Sequence, residues 1–161
     1  MELRFYSFVN YYLSDMQRGI QTGHAAVDIV RKYVLDEFGI MSENEAMVKD
    51  WADNHKTFIV LNGGNNASLM NTYDIISKSN YPFIKFHEDE DSLGSILTCV
   101  GVVIPETIFD TVISRDILGE EYIMCEDEPL QLSKFDPTTE KGRRGIDKFN
   151  FIRLIKTSRL A

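Results

Sequence analysis

Apolar positions in this chain come in two kinds of run, short unbroken stretches and longer stretches with helical spacing, and their alternation predicts an α/β fold. Leu3 to Leu13, LRFYSFVNYYL, is rich in aromatic and β-branched residues and has no helical period, as expected of a buried strand. A helix is predicted from about Met16 to Phe38, with Gly39 as its C-terminal breaker. Ser42 and Glu45 then make a capping-box pair opening a second helix, Glu43 to about Asn54, with Met47, Val48 and Trp51 turned to the core. A strand follows at Thr57 to Gly64, a third helix at Ala67 to Lys78, and further strands at Tyr81 to Phe86 and Ile96 to Ile104. Strand, helical crossover and strand imply a right-handed βαβ unit with parallel strands. HEDEDSLGS, between the last two strands, reads as an acidic hairpin loop. Beyond Pro105 the pattern weakens to a short helix-like stretch, a strand at Glu121 to Cys125, a long aperiodic loop from Glu126 to Gly145, and an amphipathic helix near Ile146 to Lys156.

The first helix carries the most chemistry. At ~100° per residue, Gln17, Gln21, His24 and Asp28 fall within about 60° of one another and form a polar stripe. Gly19, Ile20, Gly23, Ala26, Val27, Val30 and Val34 gather on the other side as the expected packing face. Two glycines inside a helix cost roughly 1 kcal/mol each relative to alanine, and close approach of this helix to the sheet is the simplest compensation. The plainer reading of the polar stripe is a solvated surface.

Composition narrows the classes. With 161 residues, 43% of them apolar and 26% charged, the chain suits one domain, 1–161, with a core at 1–105 and a C-terminal extension at 106–161. No apolar run approaches the ~18 residues needed to cross a bilayer, and Met1 to Tyr12 lacks a signal-peptide pattern, so a cytoplasmic protein without membrane contact is expected. Cys99 and Cys125 form neither a CxxC pair nor part of a ligand cluster, so free thiols, no metal and no cofactor are expected. The net charge of −8 disfavours nonspecific nucleic-acid binding by the whole surface. Lys141, Arg143, Arg144 and Lys148, continuing to Arg153, Lys156 and Arg159, form a local basic run that is either a nucleic-acid patch or a solvated helix face.

LSDMQRGIQTGHAA, Leu13 to Ala26, resembles the opening motif of the archaeal and eukaryotic type of peptidyl-tRNA hydrolase, the second family with that activity. Ser14, Gln21, His24 and Ala25 fit the motif, while the lysine of the family falls on Gln17. FHEDEDSLGSILTCVGVVIP, Phe86 to Pro105, is similar to the family's acidic turn and final strand: Glu88 takes the place of the acid, and Gly94, Ser95 and Thr98 sit near its glycine, serine and threonine. The family's Ala-Gly-Arg-Thr after the acid is missing, and Glu88 to Leu93 approaches instead an acidic variant found in divergent relatives. Together the two motifs and the strands between them span about Leu3 to Pro105. The resemblance implies a small mixed sheet of four strands flanked by helices, and hydrolysis of the ester joining a peptide to the 3′ end of tRNA.

For that reaction His24 is the candidate general base or its orienting partner, because an imidazole can take up and return a proton near neutral pH. Glu88 shares that role. Gln17 and Gln21 are candidate amide donors to an oxyanion or ribose, and Ser95 and Thr98 add hydroxyls, with Ser14 and Asp91 completing the candidate binding set. Gln17 in place of lysine removes a positive charge, a loss that commonly costs on the order of 10² to 10³ in rate. Arg18 is a weak substitute because it lies about 100° round the helix. Two readings follow: a divergent peptidyl-tRNA hydrolase acting on the tRNA 3′ end, or a non-catalytic protein using the same cleft for a small nucleotide or a partner protein, as a viral counter-defence factor in host cytoplasm would. A homo-oligomer is compatible with either.

Overall fold

The structure is a computed structural model in which residues 1–34, 40–88, 94–124 and 129–161 are described. The described chain divides into two compact units, Met1–Glu106 with Ser158–Ala161, and Thr107–Thr157.

In the first unit, β1 (Leu3–Val9), α1 (Asp15–Val34), α2 (Glu43–Asp50), β2 (Thr57–Asn62), α3 (Asn66–Ser77), β3 (Phe83–His87) and β4 (Leu97–Pro105) follow one another along the chain. The sheet order is β2-β1-β4-β3. β1 runs parallel to β2 and antiparallel to β4, and β4 pairs antiparallel with β3. This is the mixed four-stranded sheet that the resemblance implied, with the parallel β1–β2 pair joined by the helical crossover. β4 is buried along its whole length and β1 at all but Arg4, which explains why both read as unbroken apolar runs. Leu3, Phe5 and Val9 of β1, Cys99 and Val103 of β4, Ala25, Ala26 and Ile29 of α1, and Val48 with Trp51 form one core cluster. Phe5, Trp51 and Phe58 lie with ring centroids 5.1–5.7 Å apart, in tilted and edge-on pairs.

Several boundaries follow from local chemistry. Ser42 and Glu45 make the expected capping box at the start of α2. The second helix does not run on as one α-helix: Trp51–His55 form a π-turn, closed by Lys56 in the left-handed region (φ 55°), and the Trp51 indole N–H donates to Thr57 O at 3.1 Å. β1 ends at Val9, earlier than its apolar run suggests, because Asn10 turns the chain: its side chain accepts from Tyr12 N, and its carbonyl accepts from Leu13 N.

The packing face of α1 differs from the expected one. Gln21, Thr22, Ala25, Ala26 and Ile29 are buried, whereas Gly19, Ile20, Gly23 and Val27 are exposed. A Cβ built on Gly19 or Gly23 meets nothing within 4 Å, so neither glycine permits a close approach to the sheet. Two buried polar residues reverse the face. The Thr22 and Ser7 hydroxyls lie 2.9 Å apart in a buried hydrogen bond, and Gln21 bonds across to β4, so burying them costs little.

The second unit holds α4 (Glu106–Phe109), which opens within the first unit's last residue, β5 (Ile113–Arg115), β6 (Glu121–Ile123), β7 (Leu130–Gln131) and α5 (Glu140–Thr157). Its three short strands form an antiparallel sheet in the order β5-β6-β7. β5 and β7 were not legible as strands, and α5 begins six residues before the expected helix start at Ile146. The long aperiodic loop is shorter than its sequence suggested, because β7, a 3-10 turn at Leu132–Lys134 and the first turn of α5 occupy much of it. Cys125 lies outside the described residues, and Cys99 is a free, fully buried thiol whose pKa burial pushes upward. Among the described residues no helix is long and apolar enough to cross a membrane.

Candidate functional site

α1 approaches the sheet near the β3–β4 hairpin, and there the chain collects its candidate chemistry. A β-bulge between Phe86 and His87 shifts the β3–β4 register, pairing Phe86 with Cys99 and His87 with Leu97, and leaves Thr98 as the extra residue. Just past the bulge, Glu88 N donates to Ile96 O at 3.1 Å and closes the base of the hairpin, fixing where the Glu88 side chain begins. Gly94 and Ser95 both take positive φ, 67° and 57°, on the far side of that loop.

Three side chains meet at this point. Gln21 Nε2 donates to Glu88 Oε2 at 2.6 Å, and Thr98 Oγ1 donates to Gln21 Oε1 at 3.1 Å. A second contact sets Thr98 Oγ1 3.3 Å from Phe86 O. The orientation of the Gln21 amide is fixed by chemistry: an ionised carboxylate only accepts, so the NH2 must face Glu88 and the carbonyl oxygen must face the threonine hydroxyl. Gln21 and Thr98 are buried, and Glu88 is half-buried at the rim. Buried amide and hydroxyl thus form a chain that ends on one carboxylate oxygen. One turn further along α1, the exposed His24 imidazole lies against the Phe86 ring with centroids 4.8 Å apart.

The remaining expected residues are placed elsewhere. Ser14 and Gln17 hold each other at the start of α1: Ser14 N and Oγ donate to Gln17 Oε1 at 3.0 and 3.1 Å, and Gln17 N donates to Ser14 Oγ at 3.4 Å. This reciprocal pair satisfies the helix start, so at least the carbonyl end of Gln17 has a capping task. Arg18 donates to Tyr11 O at 2.9 Å and to Asp15 at 3.3 Å, which ties it to the β1–α1 turn. Ser95 is exposed, and Asp91 lies outside the described residues. Among the described residues, no group of three or more His, Cys, Asp or Glu side chains stands close enough to share a metal ion.

Sequence reasoning missed two features here. Tyr11 and Tyr12, 40% and 75% exposed, lie just beyond β1 with ring centroids 4.0 Å apart and planes tilted by 33°, where the apolar run predicts a buried strand. The Ser7–Thr22 bond anchors α1 next to Gln21, and its sequence signal is a hydroxyl in a mostly apolar strand facing a hydroxyl in the helix.

A family model described as peptidyl-tRNA hydrolase PTH2 matches residues 9–115, roughly two thirds of the chain. None of the curated proteins compared with the chain matches it. The chain belongs to the peptidyl-tRNA hydrolase PTH2 family, whose activity indicates tRNA as the substrate class.

Proposed function

We propose that this member of the peptidyl-tRNA hydrolase family hydrolyses the ester between a peptide and the 3′-terminal ribose of tRNA, with Glu88 taking the proton of the attacking water. The observation that carries the reading is the chain from Thr98 through Gln21 to Glu88 Oε2. Among the described residues it commits one carboxylate oxygen to the protein, and in the proposed step the other accepts from water. In the proposed step, the water oxygen bonds to the ester carbonyl carbon as its proton passes to Glu88. The bond from that carbon to the ribose oxygen then breaks, its electron pair leaves with the ribose oxygen, and that oxygen takes up the proton Glu88 accepted, directly or relayed through His24. Gln21 and Thr98 are positioning residues in this scheme, since their hydrogen bonds direct the Thr98 hydroxyl and one Gln21 amide proton to protein acceptors.

Gln17, where the family carries lysine, supplies no positive charge to steady a developing anion. The wild-type rate is therefore expected to be low, and Gln17→Lys is expected to raise it at least tenfold, toward the 10²- to 10³-fold range typical of such contacts. Purified protein is incubated with peptidyl-tRNA and release of free tRNA is followed. Turnover that Glu88→Gln lowers about a hundredfold or more supports the reading, and absence of turnover in both wild type and Gln17→Lys ends it.

A second reading, a non-catalytic protein that holds a small nucleotide or a partner protein in the same cleft, is favoured by one observation. Gln17 is engaged with Ser14 as a cap, an arrangement that serves the helix whether or not chemistry occurs. Stabilisation against heat by mono- or cyclic dinucleotides, lost in His24→Ala and accompanied by no ester hydrolysis, would support it.

A further inference from the structure

The C-terminal segment has a charge pattern unlike the rest of the chain. From Pro129 to Ala161 there are eight Lys or Arg against three Asp or Glu, a formal +5, whereas Met1–Glu128 carry a formal −13. Two of these cations are occupied within the second unit: Arg153 pairs with Glu121 at 2.9 Å, and Lys156 Nζ donates to Phe109 O. Lys134, Lys141 and Lys148 make no ion pair among the described residues, and Arg144 pairs only with the exposed Glu140, a surface i,i+4 contact worth little.

Glycines bring these cations together. A Cβ on Gly142 would lie 1.8 Å from Asp136 O, and one on Gly145 would lie 2.4 Å from the Phe135 ring, so the loop after β7 packs directly on the first turns of α5. This contact places Lys134 and Lys141 on one open cavity of about 280 Å³, which Phe135, Asp136 and Thr139 also line. Lys141, Arg144 and Lys148, at i, i+3 and i+7, continue from its rim along one face of α5. Lys141 and Lys148 are about 10 Å apart along the helix axis. That distance is about three nucleotides of a strand rising ~3.4 Å per residue. Cations in the first turns oppose the helix dipole, so they do not serve the stability of α5. A bound polyanion would offset that cost.

We propose that Lys134, Lys141, Arg144 and Lys148 form a phosphodiester-contacting surface for RNA, beyond the segment matched by the family. The choice of RNA rests on the tRNA reading above, whereas the surface itself rests on charge and geometry. It contacts phosphates without reading bases.

Binding of deacylated tRNA, which has no ester to cleave, separates this proposal from catalysis. Fluorescence anisotropy with full-length protein across a salt series is compared between wild type and Lys134→Gln/Lys141→Gln/Arg144→Gln/Lys148→Gln. A control, Arg31→Gln/Lys49→Gln/Lys56→Gln/Lys78→Gln, removes equal charge from the first unit. The surface variant is expected to bind at least tenfold more weakly at low salt and to flatten the dependence of log K on log salt by about three, four contacts at roughly 0.7 each. The control is expected to lose less than threefold. An unchanged slope in the surface variant, an equal loss in the control, or binding to anionic lipid vesicles without binding to tRNA would overturn the proposal.

Discussion

Between Met1 and Glu106 the two central strands are buried along nearly their full length against aromatic and aliphatic side chains. Between Thr107 and Thr157, by contrast, the strands are only two or three residues long, and beside buried side chains such as Ile123, Phe149 and Ile152 they carry a network of polar contacts. Gln131 Nε2 bridges Asp116 at 2.6 Å and Glu120 at 3.0 Å, and Glu120 in turn accepts from Ser133 N and Oγ. The first arrangement holds a few buried polar groups in fixed geometry, which general acid–base chemistry requires. The second presents charge on a surface shaped by local hydrogen bonds, which suits contact with a polyanion more than catalysis.

The comparison breaks most sharply under core truncation. Phe5 is fully buried and packs on Trp51 and Phe58, so Phe5→Ala should destabilise the protein by about 3–5 kcal/mol in chemical denaturation. Glycine substitutions give a smaller effect of opposite sign in the two regions. Gly142→Ala forces the Asp136 backbone away and should cost about 1–3 kcal/mol, whereas Gly23→Ala meets nothing and should gain about 0.5–1 kcal/mol. If both alanines stabilise, the contact between the loop and α5 is not as described.

Acid provides the smallest test. The Asp116 carboxyl is held below its ordinary value of 3.8 chiefly by the Glu120 backbone N–H, with further help from Gln131 and from the Leu118 and Gly119 amides. Because its folded pKa is depressed, its contribution to stability is present above 3.8 and is lost as pH falls through the lower folded value. Asp116→Asn should therefore show a weaker loss of thermal stability than wild type on acidification from about pH 5 to about pH 2.

How much of this was legible in the sequence follows the same division. β1 and β4 announced themselves because strands covered on both faces read as continuous apolar runs, and β2, a half-buried edge strand, was marked by its short apolar run ending at Gly63 and Gly64. β5 and β7 did not, because segments of two or three residues are too short to carry a period. Of the candidate site, Gln21, Glu88 and Thr98 were identified from their motifs and the structure brings them together. The apolar stripe of α1 points to the wrong inner face, since Gly19, Ile20, Gly23 and Val27 are exposed. Gln21 and Thr22 are inside instead because Thr98 and Ser7 satisfy them, and that pairing is invisible to a hydrophobic pattern. Gln17, aligned with the family's lysine, also bonds Ser14 at the start of α1 and so has a capping task.

Under the two proposals, labour is divided: Glu88 with its buried supports would act on the ester, and the cations of α5 and its preceding loop would hold the RNA. Steady-state hydrolysis of peptidyl-tRNA separates kcat from KM for Glu88→Gln and for the four-cation variant. The account predicts that Glu88→Gln lowers kcat about a hundredfold or more, while the four-cation variant raises KM about tenfold or more and leaves kcat within threefold of wild type. An unchanged kcat in Glu88→Gln, or a kcat that falls as far in the four-cation variant as in Glu88→Gln, would contradict it.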